Sequence, residues 1–522
     1  MSQLAAPEPR LSDLTDQERS DRFARLQERL PPVWRMMRLN DPAESIVVVP
    51  SIAPPPVDTG SVVQAYEERL LFLLLLLRQP SLQLIYVTGR EVDEAIVDYY
   101  LALLPGVIPS QAKARLHMIA AHDGSPRPLT TKLLQRPRVL EEIRHRIPDR
   151  ERCHLVPFTT TPLERDLALS LGIPLYGADP RHLHFGTKTG CRRLFEQAGV
   201  AHPLGREGVR DLDEVVEALV AMRAAKPGIS RAIVKHNDGV AGRGNAVVDL
   251  QGLSPPGSDG EPAELRARVE RMQLEHPGTD LTEYSARLAE GGGIVEEHIG
   301  GVELRSPSVQ LRISPFGEVE VLSTHDQLLG GRSGQTYLGC RFPADFGYAR
   351  AITAEATKVA EQLAREGVLG RFAVDFVVVR DTGGTWTPYA IELNLRKGGT
   401  THPFLTLQFL TDGIYDPGTA IFTAPSGREK HLVATDHLES ERLQGLSIHD
   451  LFDIAVRHRL HFDPARQAGV VFHMMSTLTE LGRTGMTAVG DTPEQADALY
   501  RKAERILSEE AEPPREQELP RV

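Results

Sequence analysis

Tyr389-Ala390-Ile391-Glu392-Leu393-Asn394-Leu395-Arg396 alternates apolar and polar side chains in a strand-like run. Glu392, Asn394 and Arg396 fall on one face of such a strand. Two hard oxygen donors on one face, opposite an aspartate of a neighbouring strand, suit Mg²⁺. A satisfied structural network is the plainer alternative. The aspartate is at hand upstream: Gly370-Arg371-Phe372-Ala373-Val374-Asp375-Phe376-Val377-Val378-Val379 is strongly apolar and broken by Asp375. A buried carboxylate needs a base or a metal beside it. Arg396 would lie about 7 Å beyond Asn394, given about 3.3 Å of rise per residue. There a guanidinium can grip two oxygens in one plane, which a lysine cannot.

Working outward, three more features precede these. Ile294-Val295-Glu296-Glu297-His298-Ile299-Gly300-Gly301-Val302-Glu303 is an apolar strand ending in carboxylates. It could offer adenine its backbone hydrogen bonds and ribose a carboxylate; solvated glutamates at a strand end are the alternative. Ile233-Val234-Lys235 ends a buried strand, and Asp238-Gly239-Val240-Ala241-Gly242-Arg243-Gly244-Asn245 follows it into another. Glycines let backbone N–H groups approach phosphate oxygens. Because the loop leads to a strand, it is neither a Walker A loop nor a dinucleotide fingerprint. Gly186-Thr187-Lys188 opens a helix that Ala198-Gly199-Val200 closes. A lone lysine at a helix start is ordinarily solvated, so it is the order of the five features that carries weight.

The rest of the chain sets the frame. Its 522 residues exceed one hydrophobic core and predict two to four domains. The net charge of −12 argues against nucleic-acid binding by bulk electrostatics. Cys153, Cys191 and Cys340 are few and scattered, as expected of reduced thiols in a cytoplasmic protein. The N-terminus has no apolar core of a signal peptide, and the apolar run Leu70–Leu77 is too short to span a bilayer. His182 and His184, without further ligands, do not make a metal site.

Ser45–Pro50, Leu82–Val87, Arg115–Ala120, Cys153–Pro157 and Ile173–Tyr176 read as strands. Val62–Leu77 and Glu91–Leu104 read as helices between them. This alternation predicts an α/β domain with a parallel sheet. From residue 181 the strands come in adjacent pairs, an α+β pattern; 254–293 reads as an insertion, and 438–508 as a small α+β C-terminal domain.

Together the five features resemble the ATP-grasp superfamily. The finer resemblance is to pheganomycin-type peptide ligases and related bacterial proteins. It rests on Glu392-Leu393-Asn394-Leu395-Arg396-Lys397-Gly398-Gly399-Thr400-Thr401-His402-Pro403, on Gln327–Gly339, and on Phe472-His473-Met474 with Gly482–Ala488. The resemblance implies a Rossmann-like pre-ATP-grasp domain (16–180), a two-lobed ATP-grasp domain (181–430) and the C-terminal domain. It implies ATP between the lobes, held by Lys188, Lys235, Gly239, Gly242, Gly244, Glu296, His298 and Glu303. Asp375, Glu392 and Asn394 would hold Mg²⁺, with Mn²⁺ as a substitute. Arg396 and Lys235 would serve catalysis, and Arg332 and His402 the substrate. The implied reaction joins a carboxylic acid to an amine through an acyl-phosphate, with ADP and phosphate released. A small-molecule kinase or an inactive nucleotide-binding partner protein are the alternatives. Neither nucleic acid nor membrane is an expected partner, and a homo-oligomer is compatible with the pattern.

Overall fold

The computed structural model describes residues 11–38, 44–53, 60–239, 244–275, 278–330 and 336–511. Gly242 and Arg332 lie outside the described residues.

The first domain is α/β as the alternation predicts. β1 (Ser45–Val49), β2 (Gln83–Thr88), β3 (Leu116–Ala120) and β4 (Cys153–Pro157) form a parallel sheet in the order β3-β2-β1-β4. Both faces are covered, which is why these strands are continuous apolar runs rather than alternating ones. Thr161 caps the helix Pro162–Leu171 and Glu164 closes the capping box. Two expectations change. Ile173–Tyr176 contributes only a bridge, Leu155 to Leu175. Val62–Leu77 is not one helix: Gly60–Glu68 is α-helical, and Leu71–Arg78 winds as a 3₁₀ helix. The apolar run Leu71–Leu77, leucine but for Phe72, has no polar face to leave in water, and it is buried nearly all round.

The next lobe carries β5 (Gly205–Val209), β6 (Arg231–His236), β7 (Asn245–Asp249), β8 (Gln273–Leu274) and β9 (Gly293–Glu297), ordered β5-β9-β6-β7-β8. Helices Leu212–Ala225, Glu261–Val269 and Leu281–Gly291 pack on this sheet around a core of their own. Segment 254–293 therefore supplies two of the helices that close this core, including buried Leu265, Val269, Tyr284 and Leu288.

The larger lobe is one sheet built from β10 (Glu303–Arg305), β11 (Pro307–Ile313), β12 (Val319–Gly330), β13 (Thr336–Phe342), β14 (Gly370–Arg380) and β15 (Trp386–Asn394). A small hairpin follows, β16 (Ile414–Asp416) with β17 (Ile421–Thr423). Then β18 (His431–Glu439), β19 (Gly469–His473) and β20 (Arg483–Gly490) extend the large sheet from β13. The C-terminal segment is thus continuous with the large lobe through its sheet. One apolar core joins them to the leucine run and to one face of the N-terminal sheet.

Candidate active site

A cleft of about 500 Å³ opens among the two lobes and the N-terminal domain, a size typical of small-molecule sites. Its chemistry is concentrated where β14 and β15 pair. Their register sets Asp375 opposite Glu392 and Ala373 opposite Asn394, with a bulge just beyond Asp375. Asn394 donates Nδ2 to Asp375 Oδ2 at 2.8 Å. Asp375 is also in register with Ser308 of β11. Loss of solvent and the facing charge of Glu392 push the Asp375 carboxyl up to about 6, against a hydrogen bond from Ser308 and the positive charges of Lys188 and Arg396. Desolvation opposes the Glu392 charge too, but Lys188, Lys235 and Arg396 outweigh it and lower its pKa.

Lys188 starts the helix Lys188–Gln197, whose N-cap Thr187 accepts from the Gly190 N–H. The helix ends at Ala198, and Gly199 follows at φ +66°, a left-handed position natural to glycine. The Lys188 backbone N–H donates to Asn237 O and the Thr189 N–H to Asn237 Oδ1, which fixes the helix start against the end of β6. The lysine is buried, and its Nζ lies 2.7 Å from Glu392 Oε2. Burial disfavours its charge, yet Glu392 more than compensates and its pKa rises. The solvated lysine of an ordinary helix start is thus excluded here.

On the small lobe, Lys235 at the end of β6 pairs with Glu296 of β9, both buried. Arg192 approaches the other Glu296 oxygen at 3.3 Å and binds Glu207 at 2.5 Å. Glu296 is therefore clamped between two cations. The N–H groups of Glu297 and His298 donate to Leu204 O and Arg231 O, so neither is left over for a base. His298 and Ile299 line the cleft; Glu303 does not. Glu303 is turned to Arg305 at 2.5 Å and Arg380 at 3.3 Å, so the ribose contact expected of it has no support in its position.

The Gly-rich hairpin is held from behind. Tyr284, from segment 254–293, donates its hydroxyl to Val234 O and Gly244 O at 3.0 Å each, and its carbonyl meets His236 Nε2 at 3.1 Å. Gly244 sits at φ +90° with the His236 ring about 3 Å from where a Cβ would lie. Gly239 and Asn245 line the cleft.

Arg396 lines the cleft with Glu392 and Asn394, but by another route than the alternation predicts. β15 ends at Asn394, and the Arg396 N–H turns back onto Asn394 O at 2.8 Å. A turn, not strand periodicity, delivers the guanidinium. The next residue, Lys397, is buried and donates to Pro157 O at 2.5 Å, fixing this turn to the end of β4. His402 is not a cleft residue. It is buried one turn along, against Asp436 and His473. His182 and His184 remain apart from the cleft.

Several cleft residues carry no mark readable in the sequence. Arg69 and Tyr66 come from the N-terminal domain, whereas Tyr337 of β13 lies in the stretch Gln327–Gly339 that the sequence did single out. Ser308 and Gln310 did leave a signal: they are polar residues two apart in the apolar strand β11.

Residues 181–262 and 279–417 match the family model described as IQCH-like, ATP-grasp, and residues 450–503 match the PGM1 C-terminal domain. The L-propargylglycine--L-glutamate ligase of Streptantibioticus cattleyicolor is 31% identical over 450 residues, spanning 84% of this chain and 89% of that protein. The chain belongs to the ATP-grasp family of carboxylate–amine ligases. A second ATP-grasp relative is IQ motif-containing protein H of Danio rerio, 27% identical over 363 residues, or 61% of this chain and 34% of that protein. Among solved structures, biotin carboxylase from Campylobacter jejuni superposes with TM-score 0.52 at 12% identity, covering 90% of this chain and 95% of that one. The biotin carboxylase domain of the Hydrogenobacter thermophilus 2-oxoglutarate carboxylase gives 0.51 at 12%, covering 88% and 89%. These two likenesses bear on the ATP-grasp fold alone. Among the described residues, no helix is long and apolar enough to cross a membrane.

Proposed function

We propose that this chain activates the carboxylate of an amino acid or peptide with ATP and joins it to the amine of another amino acid. The supporting observation is convergence. Lys188, Lys235, Asp375 and the run Glu392, Asn394 and Arg396 come from four separate segments and line one cleft. Two carboxylates and an amide are an oxygen donor set suited to Mg²⁺. Burial first, and then the facing charge of Glu392, raise the Asp375 pKa, and a cation held between the two carboxylates would relieve both. A bound Mg²⁺ would neutralise charge on the β- and γ-phosphates.

The chain's own groups do the rest by positioning and charge, which is what phosphoryl transfer demands. Lys188 and Lys235 present ammonium groups to the triphosphate from opposite lobes. The substrate carboxylate oxygen attacks the γ-phosphorus, and the bond to the β,γ-bridging oxygen breaks to give ADP and an acyl-phosphate. The amine nitrogen then attacks the acyl carbon; phosphate leaves and the nitrogen loses a proton. Arg396 holds the carboxylate and then the acyl-phosphate in a planar grip. Arg69, which lines the same cleft from the N-terminal domain while paired with Asp436, adds positive charge where the free carboxylate of an amino-acid substrate would lie. The relative's name, a ligase of two amino acids, supports this substrate class.

ADP release should be screened with amino acids in pairs, with product mass recorded. ADP release that needs both partners, with a product one water lighter than their sum, is the expected result. A stable phosphate ester, resistant to hydroxylamine and formed without the second amino acid, would overturn the proposal in favour of a kinase.

A further inference from the structure

We propose that His402, Asp436 and His473 form a mononuclear site for a divalent transition metal of the Zn²⁺ type, separate from the Mg²⁺ site. The three residues come from three elements far apart in sequence: the start of helix Thr401–Thr411, β18, and the last position of β19. All three are buried. Their ligand atoms converge on one point: His402 Nε2 to His473 Nε2 is 2.9 Å, His473 Nε2 to Asp436 Oδ1 is 3.0 Å, and His402 Nε2 to Asp436 Oδ1 is 3.3 Å.

Hydrogen bonds alone do not account for this triangle. Arg69 pairs with the other Asp436 oxygen and keeps that carboxylate ionised, so Oδ1 only accepts. Each Nε2 carries at most one proton. If both are protonated, two N–H groups face each other across 2.9 Å. If only one is, a nitrogen lone pair faces the carboxylate. Every arrangement leaves one repulsive contact in a buried place, where it is most costly. The other nitrogen of His402, Nδ1, is buried without a hydrogen-bond partner, so nothing on that side explains the ring's orientation.

A cation resolves all three contacts at once, because three lone pairs then point at one charge. Zn²⁺ binds imidazole nitrogen and carboxylate oxygen at about 2.0–2.2 Å, which puts neighbouring tetrahedral ligands about 3.3–3.5 Å apart. The triangle matches after an expansion of a few tenths of an ångström. Two imidazoles favour a transition metal over Mg²⁺ or Ca²⁺. Arg69 stays on Oδ2 and orients the liganding carboxylate, as outer partners of metal sites do.

The surroundings are shaped for the rings. His473 lies in register with Gly485 of β20, and a Cβ on Gly485 would come within 2.2 Å of the His473 ring. The ladder of β18 with β20 is interrupted between Thr435 and Leu438, the interval that holds Asp436. The motif residues Phe472-His473-Met474 and Gly482–Ala488, which the ATP site does not use, thereby gain a chemical purpose. The metal would clamp the C-terminal strands to the helix that follows the Gly398-Gly399 turn of the cleft, and would keep Arg69 at the cleft's edge.

The test uses the full chain without a histidine tag, in excess Mg²⁺ so that Asp375, Glu392 and Asn394 are occupied. Zn²⁺ content is measured after dialysis, and Co²⁺ is titrated while its ligand-field absorption is recorded. One Zn²⁺ per chain and a tetrahedral Co²⁺ spectrum are expected, both lost in H473Q and H402A and both kept in N394A. Circular dichroism establishes that each variant is folded, and MgADP affinity does so in addition for the histidine variants. If the histidine variants fail to fold, the wild-type stoichiometry and Co²⁺ spectrum decide the matter. Folded wild-type protein that retains no stoichiometric Zn²⁺ and gives no tetrahedral Co²⁺ spectrum overturns the site. So does a Co²⁺ spectrum unchanged in folded H473Q.

Discussion

The small lobe and the large lobe face the same cleft but are built on different terms. The small lobe closes its five-stranded sheet over a private core. The large lobe shares one core with the C-terminal strands and part of the N-terminal domain. Across the cleft floor the lobes meet largely through polar contacts: Arg192 with Glu296 and Glu207, and the Lys188 helix start with Asn237. A lobe with its own core can shift as a body, because polar contacts exchange for water at little net cost whereas a shared core does not open. The difference predicts a division of labour. The large lobe fixes the chemistry, and the small lobe grips and releases the nucleotide.

The strongest way to break this comparison lies on the large lobe. Glu392→Gln should reduce kcat by at least about 10³-fold, since it removes a metal-ligating charge that matters most in the transition state. The fold should survive, because glutamine still accepts a hydrogen bond from Lys188; thermal unfolding checks that alongside steady-state rates. A mild loss of rate would remove Glu392 from the metal site.

Arg396→Lys should keep MgADP affinity, measured by calorimetry, and lose product formation by about 10²-fold, because a point charge does not reproduce a planar two-oxygen grip. Weakened ADP binding would instead place Arg396 at the nucleotide.

The small lobe should respond differently. Lys235→Ala should raise the KM for ATP about tenfold with a smaller fall in kcat, the loss of one charge-assisted contact. Arg192 still holds Glu296, so the lobe should stay folded. An unchanged KM would take Lys235 out of the grip.

On the large lobe, acidity acts through Asp375. The Asp375 carboxyl is raised to about 6, above its ordinary range, so the apo protein holds it protonated to a higher pH than the unfolded chain does. This group stabilises the apo fold below its unfolded pKa, and that contribution fades as pH rises through about 6. Metal binding runs the opposite way, since the proton must leave first. Mg²⁺ affinity should therefore weaken by up to about tenfold per pH unit below about 6. A flat profile from pH 5 to 7 would mean that Asp375 is not a ligand.

The finest distinction is dynamic. Hydrogen exchange should show β6 and β7 gaining protection on MgADP while β11 and β14 change little. Equal changes in both lobes would refute separate movement.

The sequence by itself determined the order of the chemistry. Lys235, Asp375, Glu392 and Asn394 were legible because each is a charged or amide group set into an apolar run or at its end, where burial demands a partner, whereas Lys188 was legible only from its place in the order of the features. The parallel first domain was legible for the same local reason, in the spacing of apolar runs. What only the tertiary structure decided is which groups meet across long stretches of chain. Nothing near Arg69 marks it for a cleft built mostly from residues beyond 180, and nothing in segment 254–293 announces that Tyr284 supports the Gly-rich hairpin. Arg396 left the strand that its alternation implied, because a backbone turn after Asn394 overrides periodicity. His402 turned from the cleft to Asp436 and His473, and only the folded sheet brings the strands that carry those two residues to its Nε2.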